Sequence, residues 1–134
     1  MKVDGRCHCG AIVYEAEIDP ETVGICHCTD CQTLSGTPYR WSAPAPAETF
    51  VLKKGEPKIY VKTSDAGTRR AQAFCSDCGT PIYAAAEKER RTYSLRLGAV
   101  AQRAQLPPKR QIWCRSALPF ASDLRAVPGV DLQL

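Results

Sequence analysis

The 134-residue sequence has no run approaching the roughly 20 apolar residues that a membrane-spanning helix requires. Its first residues, Met1-Lys2-Val3-Asp4-Gly5-Arg6, reach the first cysteine without an apolar stretch, so no secretory signal is expected. No stretch of a dozen residues repeats its apolar positions at the helical period, and no segment is of low complexity. What remains is a chain of short strands and turns. At this length one domain with its own core is expected, spanning 1–134.

Strand signals are frequent. In Ala11-Ile12-Val13-Tyr14-Glu15-Ala16-Glu17-Ile18, the residues Ile12, Tyr14, Ala16 and Ile18 share one face and the glutamates take the other. Thr92-Tyr93-Ser94-Leu95-Arg96-Leu97 alternates more cleanly, with Tyr93, Leu95 and Leu97 facing a core. Further strands are expected at Phe50–Leu52, Lys58–Val61, Ala71–Phe74, Pro81–Ala84 and Gln111–Trp113. Lys54-Gly55-Glu56-Pro57 reads as the turn between the first two of these, and Pro44-Ala45-Pro46 as an extended spacer. Ala84–Arg90 holds helix-forming residues but is short and has no apolar stripe. The class is mainly β, with metal-bearing turns between strands.

The metal reading comes from the cysteines. Seven of eight fall in three clusters: Cys7-His8-Cys9, Cys26-His27-Cys28-Thr29-Asp30-Cys31 and Cys75-Ser76-Asp77-Cys78. Paired cysteines one or two residues apart grip a metal from a single turn, whereas a disulfide between them is strained. Without a signal, the chain is expected in a reducing cytoplasm, where clustered cysteines serve metals more often than disulfides. Seven ligands divide into four plus three: one closed structural zinc site and one with an open position, where chemistry takes place.

Cys75-x-x-Cys78 followed by Gly79 has the spacing of a zinc knuckle, and Cys7 with Cys9 are its natural partners. Spacing leaves a competing pairing open, in which Cys26, Cys28 or Cys31 joins Cys75 and Cys78. In extended backbone, His8 and His27 point away from the cysteines that flank them, so each is expected outside the ligand set. Asp30 is a weaker ligand candidate. Cys114 is expected as a buried, inert cysteine, with a reserve role in closing the second site.

Charge sets what an open three-cysteine site does. Zinc with three thiolates carries a net −1, a poor Lewis acid for making hydroxide but well suited to holding an incoming thiol as thiolate. The formal net charge of +4 also shrinks. Seven thiolates and two zinc ions change it by −3, to about +1, and the basic residues are scattered, so no nucleic-acid footprint is expected.

With these motifs in view, the pattern resembles the glutathione-dependent formaldehyde-activating enzyme family, which includes centromere protein V. The resemblance rests on Gly5-Arg6-Cys7-His8-Cys9-Gly10-Ala11-Ile12-Val13-Tyr14, on Cys26–Cys31 with Ser35-Gly36, and on Phe74-Cys75-Ser76-Asp77-Cys78-Gly79-Thr80. It implies an Mss4-like fold of short antiparallel sheets stapled by zinc-binding turns. By motif it assigns Cys7, Cys9, Cys75 and Cys78 to a structural zinc and Cys26, Cys28 and Cys31 to a second, catalytic one. The implied reaction is that of a carbon–sulfur lyase joining glutathione and formaldehyde as S-hydroxymethylglutathione, with no nucleic acid and no membrane involved. Arg40, Arg69, Arg70 and Arg96 are candidates to orient glutathione's carboxylates. The chain departs from the family pattern near its end, where Gln111 and Phe120 stand at places that often hold histidine and tryptophan.

Overall fold

The computed structural model describes residues 1–133. Among these residues, ten strands form two sheets. The smaller contains β1 (Lys2–Arg6), β2 (Val13–Glu17) and β5 (Val51–Lys54), in the order β1-β2-β5. The larger contains β3 (Gly24–Cys26), β4 (Arg40–Pro46), β6 (Lys58–Thr63), β7 (Arg69–Phe74), β8 (Pro81–Ala86), β9 (Thr92–Arg96) and β10 (Arg110–Ile112). Its order is β10-β3-β4-β9-β8-β7-β6, antiparallel throughout except where β10 runs parallel to β3. One helix, α1 (Thr29–Ser35), follows β3. Among the described residues, no helix is long and apolar enough to cross a membrane.

The core lies between the sheets and follows the predicted alternation. Ile12, Tyr14, Ala16 and Ile18 are buried from the small sheet, and Leu95 and Leu97 from the large one. Phe50 stacks between the rings of Tyr14 and Tyr93, at centroid separations of 5.0 and 4.6 Å. Tyr14 lies so close over Gly5, its partner across β1 and β2, that a Cβ there would fall 2.0 Å from the ring. Only glycine fits that position.

Three expectations change. Lys54–Pro57 is a turn, with Gly55 at φ 74°, but it carries the chain from one sheet to the other instead of closing a hairpin. Pro44-Ala45-Pro46 is no spacer: it is the second half of β4, paired to β9. The prolines are tolerated because β3 pairs only with Arg40–Ser42, so no neighbour on that side requires their missing N–H groups. Finally, Ala84, Ala85 and Ala86 continue β8, since pairing with β7 overrides their helix propensity.

Candidate metal centres

Cys7 and Cys9 lie in the turn after β1, and Cys75 and Cys78 in the turn between β7 and β8. Both turns close on a glycine with positive φ: Gly10 donates to the Cys7 carbonyl at 3.1 Å and Gly79 to the Cys75 carbonyl at 2.8 Å. The His8 N–H donates to Thr80 Oγ1 at 3.1 Å and ties one turn to the other. All four sulfurs lie within 4.8 Å of one another, with Cys7–Cys9 at 3.7 Å and Cys9–Cys75 at 3.8 Å.

Four sulfurs each about 2.3 Å from a tetrahedral zinc stand about 3.8 Å apart, so the cluster fits that ion. It is far too open for a disulfide bond of about 2.05 Å. Proton chemistry agrees. The Thr80 hydroxyl, with the backbone N–H groups of Cys9 and Thr80, holds the Cys78 thiol down at about 5. The Ala11 N–H lowers the Cys9 thiol, yet burial and hydrogen bonds with Cys78, Cys7 and Cys75 outweigh it and push Cys9 up to about 12. Four thiols held this close do not ionise together on their own, and a divalent cation removes the conflict.

The second cluster is built differently. Cys26 ends β3, Cys28 caps α1 by accepting the Cys31 N–H at 3.3 Å, and Cys31 lies in the first turn. Their sulfurs also lie within 4.8 Å of one another, and among the described residues no fourth cysteine, histidine or carboxylate joins them. Burial and the Cys31 thiol push Cys28 up to about 11. Burial also opposes ionisation of Cys26, but the Cys28 N–H and Arg40 prevail and lower it. Arg40, directly across β4 from Cys26, donates from Nε to Cys31 Sγ at 3.3 Å and from Nη1 to Ser42 and Ser94.

The remaining candidates lie outside both clusters. His8 is exposed. His27 is only 4% exposed and turns away from the sulfurs, with Nε2 2.9 Å from Gln111 Oε1. Asp30 is paired to Lys62 at 2.9 Å. Cys114, expected to be buried, is exposed in a turn after β10 and belongs to neither group. The burial expectation failed because Trp113 adopts a left-handed conformation, φ 55°, and ends the strand before Cys114.

A cavity of about 830 Å³ opens beside the three-thiol cluster, between Cys31 on one side and the Gly79–Thr80 turn on the other. Arg40, Arg96, Lys62 and Gln72 supply polar groups, while Tyr60 and Phe120 belong to its apolar lining. Sequence reasoning missed Lys62, Gln72, Ser42 and Ser94, although period-2 alternation places all four on the same face as Arg40 and Arg96.

Over residues 2–116 the sequence matches the family described as glutathione-dependent formaldehyde-activating enzyme. The chain belongs to that family. A protein of Halomonas elongata, provisionally named as such an enzyme, is 30% identical over 87 residues, which is 62% of this chain and 55% of that protein. An uncharacterized lyase of Schizosaccharomyces pombe is 29% identical over 84 residues, 60% of this chain and 55% of its own length. The chain thus spans about half the length of these curated relatives. A crystal structure of a Rhodobacter sphaeroides protein matches with a TM-score of 0.63 over 83% of this chain and 99% of that one. At 20% identity it shows a shared fold. The matched residues 2–116 take in the mainly β architecture and both cysteine clusters, each able to hold a metal ion.

Proposed function

We propose that the protein is a zinc-dependent enzyme of the carbon–sulfur lyase type that joins glutathione and formaldehyde as S-hydroxymethylglutathione, and cleaves it in reverse. Residues 1–134 act as one zinc-binding domain in a reducing compartment such as the cytoplasm. The observation that carries the reading is the grouping of Cys26, Cys28 and Cys31 within 4.8 Å, with Cys31 lining the cavity. Cys7, Cys9, Cys75 and Cys78 would hold the structural ion, and Cys26, Cys28 and Cys31 the second. Zinc in that second site supplies the positive charge that keeps an incoming thiol deprotonated at neutral pH.

The chain's own groups do the rest. Arg40 holds Cys31 through Nε, and its positive charge lies against the cluster and favours the ionised form of Cys26. The cavity walls hold the thiol and the aldehyde together. The thiolate sulfur adds to the formaldehyde carbon: a C–S bond forms, the C=O π bond breaks, and the resulting alkoxide takes a proton from solvent. That proton replaces the one the thiol lost on binding, so the addition is balanced and needs no oxidant.

Cobalt replacement tests the reading. Glutathione added to the cobalt protein is expected to raise sulfur-to-metal charge-transfer absorption, with a pH midpoint below the free thiol value of about 8.5. Cys28→Ala should abolish the response, whereas Cys114→Ala, outside both clusters, should leave it intact. With ¹³C-formaldehyde, the zinc protein should accelerate the S-hydroxymethylglutathione signal over the spontaneous reaction. No spectral change at millimolar glutathione, together with no acceleration, would reduce the site to a non-catalytic binding module.

A further inference from the structure

One face of the seven-stranded sheet carries cations that lack acidic partners. Period-2 alternation puts Arg40 and Ser42 of β4, Ser94 and Arg96 of β9, and Arg70 and Gln72 of β7 on the face opposite the core. Arg40 and Arg96 are close enough to share one acceptor: their Nη1 atoms donate to Ser94 Oγ at 3.1 and 3.3 Å. Arg96 Nη2 donates to Gln72 Oε1 at 3.1 Å. Among the described residues, no carboxylate lies within 4.0 Å of Arg40, Arg70 or Arg96. Lys62 and Arg69, by contrast, are paired with Asp30 and Glu87.

Buried charges are ordinarily paired, because desolvating them costs several kcal/mol. Here the strain shows in the groups themselves. Burial and the neighbouring Arg40 push Arg96 down to about 10, and burial with Arg40 also lowers Arg70. Zinc with its three thiolates would leave one negative charge against three guanidiniums, so two positive charges remain uncompensated. Arg40 and Arg96 line the same cavity as Cys31, so one molecule can reach the sulfur cluster and the cationic face together. Tyr60, paired across from Gln72 on that face, and Phe74 add apolar surface to the same cavity.

We propose that Arg40 and Arg96, with Arg70 farther along the same face, form a carboxylate-binding floor that selects a thiol substrate bearing two carboxylates. The floor rests on the glutathione reading for the identity of the thiol, but it binds through carboxylates alone. Guanidinium forks match planar carboxylates in bidentate geometry. An anion seated there relieves the mutual repulsion of the three arginines, so the site is destabilised when empty and stabilised when filled.

S-methylglutathione separates the two proposals, since it keeps both carboxylates and has no free thiol. Calorimetry on the zinc-loaded 134-residue chain should show it binding with an affinity that falls as salt rises. Its dimethyl ester should bind at least about tenfold more weakly. Arg96→Gln should weaken S-methylglutathione by roughly tenfold to hundredfold, leave the ester unchanged and melt no lower than the parent. Arg96→Lys, which keeps the charge, should recover part of the loss. Should Arg96→Gln fail to fold, Arg70→Gln at the more open end of the floor is read in the same way.

Equal binding of acid and ester, or full affinity in a folded Arg96→Gln protein, overturns the floor even if the cobalt response to glutathione stands. Arginine-dependent binding of S-methylglutathione with no catalysis overturns the lyase reading and leaves the floor intact. Displacement by inorganic phosphate at lower concentration than by S-methylglutathione would assign the floor to phosphates and overturn the carboxylate proposal.

Discussion

Replacing one cysteine in each cluster with serine should produce very different proteins. Cys9 and Cys75 are 66 residues apart in sequence and their sulfurs 3.8 Å apart in space. An ion holding both acts as a cross-link that closes a loop of that length. By the chain-entropy relation for cross-links, such closure is worth about 4 kcal/mol. Domain stabilities are about 5–15 kcal/mol, and for a chain of this size each kcal/mol shifts the melting point by a few degrees. Cys75→Ser, at a position 1% exposed, should therefore lower the melting temperature by roughly 10–20 °C or prevent folding.

Cys28→Ser is the matched control. Its cluster spans only Cys26 to Cys31, so losing that ion releases no long loop. The new hydroxyl also stands at the N-cap of α1, where serine is among the best residues, so the helix start is kept. A melting shift of no more than about 5 °C is expected. Thermal unfolding followed by circular dichroism, with metal content measured on the same samples, provides the readout. Equal losses in the two variants would show that the clusters do not divide into a structural and a functional site.

Two further outcomes are expected. Elemental analysis of reduced, purified protein should find about two zinc ions per chain; iron, or no more than one tightly held metal, would rule out the two-centre assignment. Gly5→Ala should cost about 1–3 kcal/mol, because its Cβ would overlap the Tyr14 ring, and an unchanged melting temperature would show that the ring moves aside freely.

The parts of the fold legible in the sequence were those governed by alternation and by local ligand spacing. Ile12, Tyr14, Ala16 and Ile18 announce a buried strand face whatever the sheet around them, and the cysteine pairs announce knuckles. Which knuckles meet is a matter of topology, and it stayed open until the turn after β1 was seen beside the turn after β7. Helix α1 was missed because it is two turns long with no buried residue, so it has no apolar stripe. Cys28 as N-cap and Gly36 in the left-handed region were its only signals. The arginines divided for a similar reason. Arg69 and Arg70 are indistinguishable as neighbours in sequence, yet the pleat sends one to Glu87 and the other to the face beside the sulfur cluster.

The prolines in β4 bear on a different question, that of how the large sheet ends. A sheet edge with free N–H and C=O groups is a template for a strand from another molecule. Past the end of β3, the open flank of β4 presents Pro44 and Pro46, which offer no N–H to such a strand. At one outer edge, β6 carries Lys58 and Lys62; at the other, β10 is only three residues long. Each border of the seven-stranded sheet thus disfavours strand addition by its own means, so a partner docking on this sheet is met by side chains and not by an added strand.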